Sequence, residues 1–201
     1  MKVLITGFEP FGGEKINPSW EAVKELSDEI DGAQIVKKEL PVSFKKVREI
    51  LPKLIEDVAP DVIILTGQAG GRFNITVERV AINIMDSTTA DNDDYVPEDE
   101  PIYMNAPSAY FATLPIKSIV KSLRDEGIPA MVSNTAGTYV CNTAMYVALH
   151  HVALKGLKAK AGFIHVPYIP EQVLDKPRPS MPLEMIRKAL EIAVKESLRE
   201  V

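Results

Sequence analysis

Three short runs in this chain carry almost no polar side chain: Val3-Leu4-Ile5, Val62-Ile-Ile-Leu65 and Ala161-Gly-Phe-Ile164. A strand with one wet face alternates apolar and polar residues. A strand that is apolar throughout must be covered on both sides, which is the mark of a parallel sheet with helices above and below. Amphipathic stretches lie between these runs. Asn17-Pro18 offers an N-cap followed by proline at the first helical position, with Val23, Leu26 and Ile30 following at helical spacing. Residues 33–40 read as a second strand. Ser43 can cap a helix with Phe44, Val47, Ile50, Leu51, Leu54, Ile55 and Val58 on one face, ended by Pro60. Asp61–Thr66 is the clearest buried strand, closed by Gly67.

The second half continues the alternation. Residues 74–84 are β-rich and extended, and residues 86–108 form a polar, proline-bearing loop. A helix over about 115–126 precedes a strand over about 128–133. Another helix runs from near Cys141 to about 154, then a strand over 161–165 and a proline-rich segment. A last helix spans about 182–200, with Leu183, Ile186, Leu190, Val194 and Leu198 on one face. The apolar run Pro115–Val120 can face either the core or a partner. The expected fold is a single three-layer α/β/α domain, residues 1–201, with a mainly parallel sheet. At 201 residues the chain is about 1.3 typical domain lengths, so a second domain would be cramped.

Composition removes several classes of function. Lys plus Arg is 23 and Asp plus Glu is 28, a net charge of −5, with no long basic run for nucleic acid or an anionic membrane. No apolar stretch approaches the ~20 residues of a membrane span. The N-terminal apolar run enters a Gly turn too soon for a signal peptide, so a cytoplasmic location is expected. One cysteine, Cys141, permits neither an intrachain disulfide nor a Cys-based zinc site. Asp91–Asp94 lacks the Gly and distal Glu of a calcium loop and reads as a solvated acidic loop.

Few residues are left to carry chemistry. Gly67-Gln-Ala-Gly-Gly71 follows a strand but matches neither a dinucleotide fingerprint nor a phosphate-binding loop, and reads as a tight turn or a backbone cradle. Cys141 opens a helix, where unpaired N–H groups and the dipole favour a thiolate and offer donors to an oxyanion. His165 ends a strand, at the sheet edge where open α/β folds bind ligands. His150 and His151 lie near the end of the Cys141 helix and read as structural. A Cys–His pair needs a third group to fix the imidazole. Glu78, inside an apolar extended stretch, is one candidate. Arg79 points to the opposite face and is a poor partner for it. Spacing does not choose Glu78 over Asp86 or Asp91.

The chain resembles the pyroglutamyl peptidase type I family in five ordered blocks over nearly its whole length. These are Gly7-Phe-Glu-Pro-Phe-Gly-Gly13 with Asn17-Pro18, Gly67–Arg72, Glu78–Asn83, Thr135–Asn142, and Gly162–Gln172 with Pro179-Ser180. The resemblance implies a cysteine peptidase that removes N-terminal pyroglutamate from small peptides, with no metal or cofactor. It makes Cys141 the nucleophile, His165 the acid–base and Glu78 the orienting carboxylate, with a thioester intermediate. It places Phe8 and Phe11 along an apolar slot for the lactam, with a backbone contact from Gln68 and with Tyr139 and Val140 completing it. It also implies a homodimer or homotetramer. One stretch departs from the family: where Ala-Arg-Ile-Pro-Asp-Asn is common, this chain has Ser87-Thr-Thr-Ala-Asp-Asn92. Two other readings compete: an α/β enzyme acting on a nucleoside, and a binding protein that keeps the lactam pocket without turnover.

Overall fold

The apolar runs form the centre of a seven-stranded sheet. In a computed structural model describing residues 1–199, the chain folds in the order β1 (Lys2–Phe8), α1 (Pro18–Lys24), β2 (Glu29–Ile30), β3 (Ala33–Leu40), α2 (Phe44–Val58), β4 (Val62–Gln68), β5 (Ile75–Glu78), β6 (Val80–Ile82), β7 (Ala109–Phe111), α3 (Ile116–Asp125), β8 (Ala130–Ser133), α4 (Val140–Leu154), β9 (Lys160–Val166) and α5 (Leu183–Leu198). The sheet order is β2-β3-β1-β4-β9-β5-β8. Strands β3, β1, β4 and β9 are mutually parallel. β5 runs antiparallel to β9 and parallel to β8, and β2 is antiparallel to β3.

Side chains on a strand alternate between faces, and here they divide the core in two. Val3, Ile5, Val62, Ile64, Ile75, Val77, Ile164 and Val166 pack with α1, α3 and α5. Leu4, Phe8, Ile63, Leu65, Ala161 and Phe163 pack with α2 and α4. The result is the expected three-layer α/β/α arrangement. Among the described residues, no helix is long and apolar enough to cross a membrane.

Local chemistry sets the helix starts. Asn17 accepts a hydrogen bond from the Ser19 N–H at 3.1 Å, and Ser43 accepts one from the Lys46 N–H at 3.1 Å. Asp91 and Asp93 complete the second cap. Asp91 Oδ2 takes the Phe44 N–H at 2.9 Å, and the Ser43 hydroxyl donates to Asp93 at 2.7 Å. The acidic loop is therefore not merely solvated: Asp91 is buried and anchors residues 91–95 to α2.

Several boundaries differ from the sequence expectation. α1 stops at Lys24, so Leu26 lies beyond it and Ile30 belongs to β2. Both are still buried, which is why they mimicked a helical stripe. Ile50 is 42% exposed, at the edge of the α2 stripe. β4 continues through Gly67 to Gln68. The stretch 74–84 is two strands: β5 joins the main sheet, and β6 pairs with β7 in a separate hairpin. The Pro115–Val120 run faces the core, where Ile119 and Val120 are buried. The last expected helical residue, 200, lies outside the described residues.

Candidate active site

The two-residue period of the strands selects which side chains can meet. Gly67, His165 and Glu78 all fall on the α2/α4 face, because they share the parity of Leu65, Phe163 and Thr76 on their strands. Cys141 is the second residue of α4, the helix covering that face. Gly67 and His165 are register partners on β4 and β9, and His165 pairs in turn with Thr76 on β5. A Cβ built on Gly67 would stand 2.9 Å from Cys141 Sγ and 2.8 Å from the Phe163 ring. The thiol thus occupies the space of a missing side chain, about one strand spacing (~4.8 Å) from the His165 column. The Phe163 ring backs the imidazole, with centroids 4.7 Å apart.

Glu78 is wholly buried, and its Oε1 lies 2.7 Å from His165 Nδ1. A carboxylate only accepts, so Nδ1 carries the hydrogen and Nε2 keeps its lone pair, the tautomer a base needs. The same Oε1 accepts from Arg72 Nη1 at 2.6 Å. Arg72 also donates to Thr76 Oγ1 and, through Nη2, to the Thr135 carbonyl at 3.4 Å. Arg79 turns away to Asn134, as its parity requires, with Nε 2.8 Å from Oδ1. Ser133, in register with Glu78, donates its hydroxyl to the Thr135 carbonyl at 3.0 Å, and Glu78 Oε2 has no hydrogen-bond partner.

These contacts set the charges. Burial works to raise the Glu78 carboxyl, but the His165 hydrogen bond and charge, helped by the Arg72 hydrogen bond, hold it below its ordinary value. Burial lowers His165, and the Glu78 contact offsets only part of that. Burial also pushes the Cys141 thiol up to about 12, with Glu78 adding to the rise and Arg72 opposing it. This corrects the expectation of a thiolate at the helix start: desolvation outweighs the helix dipole. Both shifts favour the neutral forms of the thiol and the imidazole.

The start of α4 is fixed from below. Asn142 is buried, takes the Ile82 N–H at 3.0 Å and donates to the Ile82 and Ile84 carbonyls at 2.9 Å each. Tyr139 precedes the helix and makes no side-chain cap, so the first-turn N–H groups face the site without a capping side chain.

The residues assigned to a lactam slot are spread around this centre. Phe8 and Val140, at 2% and 1% exposure, pack into the core, with the Phe8 ring 6.5 Å from that of Phe163. Phe11 and Tyr139 are half-buried, with ring centroids 6.0 Å apart. The Gln68 side chain points to the opposite face, where Gln172 donates to it at 2.8 Å, so only its backbone faces the site. The departing stretch touches this region, since the Tyr139 hydroxyl donates to the Ala90 carbonyl at 2.9 Å. His150 and His151 lie apart from it. His150 contacts the Tyr110 hydroxyl at 3.0 Å, and His151 lies 3.4 Å from Glu56.

Sequence reasoning did not single out Arg72, Asn142 or the side-chain-free space at Gly67. For Arg72 a signal existed, because a buried carboxylate demands a cation and Arg79 had the wrong parity.

Comparison with known proteins gives the family and the fold. Residues 1–200 match the pyroglutamyl peptidase family. A pyrrolidone-carboxylate peptidase from Thermococcus onnurineus is 70% identical over 199 residues, covering 99% of this chain and all of that protein. A mutant pyrrolidone carboxyl peptidase from Pyrococcus furiosus superposes with a TM-score of 0.97 at 50% identity, covering 100% of this chain and 99% of that one. The Thermococcus litoralis enzyme gives 0.94 at 49% identity, over 98% and 93% of the two chains.

Proposed function

The chain belongs to the pyroglutamyl peptidase family, and on that premise we propose that Cys141, His165 and Glu78 are its catalytic triad, acting through a thioester. It is a cysteine-type enzyme that removes N-terminal pyroglutamate from peptides. The observation that carries the proposal is the 2.7 Å contact between Glu78 and His165 beside a thiol seated over Gly67.

With the thiol shifted up and the imidazole shifted down, proton transfer accompanies the attack. The pyroglutamyl carbonyl enters beside Sγ. As sulfur attacks the carbonyl carbon, the thiol proton passes to His165 Nε2, and the carbonyl π electrons move to oxygen. The first-turn N–H groups of α4 stabilise that oxyanion. Glu78 steadies the imidazolium as it forms. The C–N bond then breaks, and the imidazolium gives its proton to the leaving amine. Water, deprotonated by the same nitrogen, hydrolyses the thioester, releasing pyroglutamate and the thiol. The residues themselves supply every proton transfer, so no metal or cofactor enters the reading.

Pyroglutamate has no free α-amine, so an acidic anchor for an ammonium would be wasted. Phe11 and Tyr139 are read as the open wall of the apolar slot, with the core side chains of Phe8 and Val140 behind them, and the Gln68 backbone as a lactam partner. A slot that hydrogen-bonds the lactam leaves its own groups unpaired with proline and rejects it. The chain length supports one peptidase domain over 1–201, and the family resemblance supports a homodimer or homotetramer.

Acid-quenching the enzyme during turnover of a pyroglutamyl ester and weighing the intact protein tests the intermediate. The expected result is a pyroglutamyl adduct on Cys141, lost in Cys141→Ala. Rapid turnover with no adduct under any quench time would point to direct attack by water.

A further inference from the structure

We propose that Arg72 is a positioning residue that acts through Glu78 to keep His165 in its neutral, proton-accepting form. The inference rests on reading Cys141, His165 and Glu78 as the catalytic groups, and adds a fourth member behind them.

The geometry is specific. Both charged contacts of Glu78 converge on one oxygen: His165 Nδ1 at 2.7 Å and Arg72 Nη1 at 2.6 Å. The other oxygen has no partner. The guanidinium is held on its far side by Thr76 Oγ1 and the Thr135 carbonyl. Its side chain is 30% exposed, whereas Glu78 is fully buried, so Arg72 closes the solvent side of the pair.

A buried carboxylate beside an imidazole can be satisfied in two ways. It can draw a proton onto the ring and form an ion pair, or it can be neutralised by another cation. The first way consumes the general base. Arg72 supplies the second. The groups facing His165 are few: Glu78 and Thr76 from β5, Arg72 from the loop after β4, Cys141 from α4, and the Phe163 ring from its own strand. Ser133 lies behind Glu78 on β8, and Arg79 is turned away. Arg72 is therefore the cation that balances Glu78 in the resting site, and its charge repels a proton on His165.

The test is the titration of the His165 imidazole by NMR in the full-length protein, its resonance assigned by loss in His165→Gln. Wild type, Arg72→Gln and Arg72→Lys are compared, with kcat/KM for a pyroglutamyl amide followed over the same pH range. In Arg72→Gln the midpoint should rise by about one pH unit, the lower end of what a nearby charge does. In Arg72→Lys, which keeps the charge but not the fork, the rise should be smaller. The acid limb of kcat/KM should move in the same direction and order. An unchanged midpoint in both variants overturns the inference, whatever happens to activity. If Arg72→Gln does not fold, Arg72→Met, which also removes the charge, takes its place under the same criterion. A shifted midpoint in a protein whose wild type cleaves no pyroglutamyl amide would leave Arg72 in this role and remove the catalytic reading.

Discussion

Cys141 Sγ sits where a side chain on Gly67 would have to be, 2.9 Å from the position of its Cβ. The nucleophile is thus seated on bare backbone, in register with His165. In Gly67→Ala the new methyl meets both Sγ and the Phe163 ring at under 3 Å, so at least one must move. Overpacking of this kind costs about 1–3 kcal/mol, which is a few degrees of Tm for a chain this size. The larger effect should be on kcat, at least tenfold, because displacement falls on the attacking atom. Steady-state kinetics and a thermal melt check this; unchanged kcat would show that the thiol does not need that seat.

The Cys141 thiol is pushed up to about 12 by burial, with the Glu78 charge adding to the rise. The empty enzyme should therefore show no thiolate absorption at neutral pH. Its wild-type minus Cys141→Ser ultraviolet difference should grow only on the strongly alkaline side. A plateau near neutrality would mean a preformed ion pair with His165.

Acid should destabilise the fold in two stages. Burial holds folded His165 below its ordinary 6.5, and Glu78, despite burial, is held below 4.5 by its partners. In each case the unfolded chain binds the proton more readily than the folded one. Stability is complete above the unfolded value and is lost as pH falls through it toward the folded value. The loss starts near 6.5 with His165, joined by His150, which burial also lowers, and resumes near 4.5 with Glu78, each group with a slope of at most about 1.4 kcal/mol per pH unit. Urea midpoints across this range measure it, and His165→Gln should flatten the first stage. A wild-type midpoint that stays constant down to about pH 5 would contradict the assignment.

Asn142 ties the nucleophile helix to Ile82 of β6 through two hydrogen bonds and to Ile84 just beyond it through a third. Asn142→Ala leaves three part-buried backbone groups without this partner, each costing up to about 1 kcal/mol. The melt should fall by several degrees, kcat should drop because the helix start carries the attacking atom, and KM should rise with it because Tyr139 and Val140 of the proposed slot stand at the same helix start. Asn142→Asp keeps the Ile82 N–H contact but sets a buried carboxylate oxygen against the two carbonyls, so it should melt no higher than the alanine variant. An alanine variant with wild-type kcat would remove Asn142 from the support of the site.

The fold was legible where a local rule and the tertiary environment agree. β3 over 33–40 and the Ser43 cap of α2 stand where the residues predict them. Leu26 and Ile30 misled because burial alone does not distinguish a helix stripe from a turn followed by an edge strand. β7, Ala109–Phe111, is three residues of mixed exposure with no periodic signal, and forms only because β6 offers an edge. In the site, Cys141 and His165 were marked by their place at element ends. Glu78 needed the family resemblance, because choosing among carboxylates requires knowing that β5 lies beside β9. The direction of the thiol shift was illegible, since burial of Sγ depends on Phe163 and Gly67 arriving from two other strands.

Hydrolysis of a fluorogenic L-pyroglutamyl amide, run beside its prolyl analogue and a Cys141→Ser control, tests the central claim most directly. The expected result is pyroglutamyl cleavage that vanishes in the control, with no prolyl cleavage. Folded, reduced protein that leaves the pyroglutamyl amide intact, or cleaves it undiminished without the Cys141 thiol, would contradict the account.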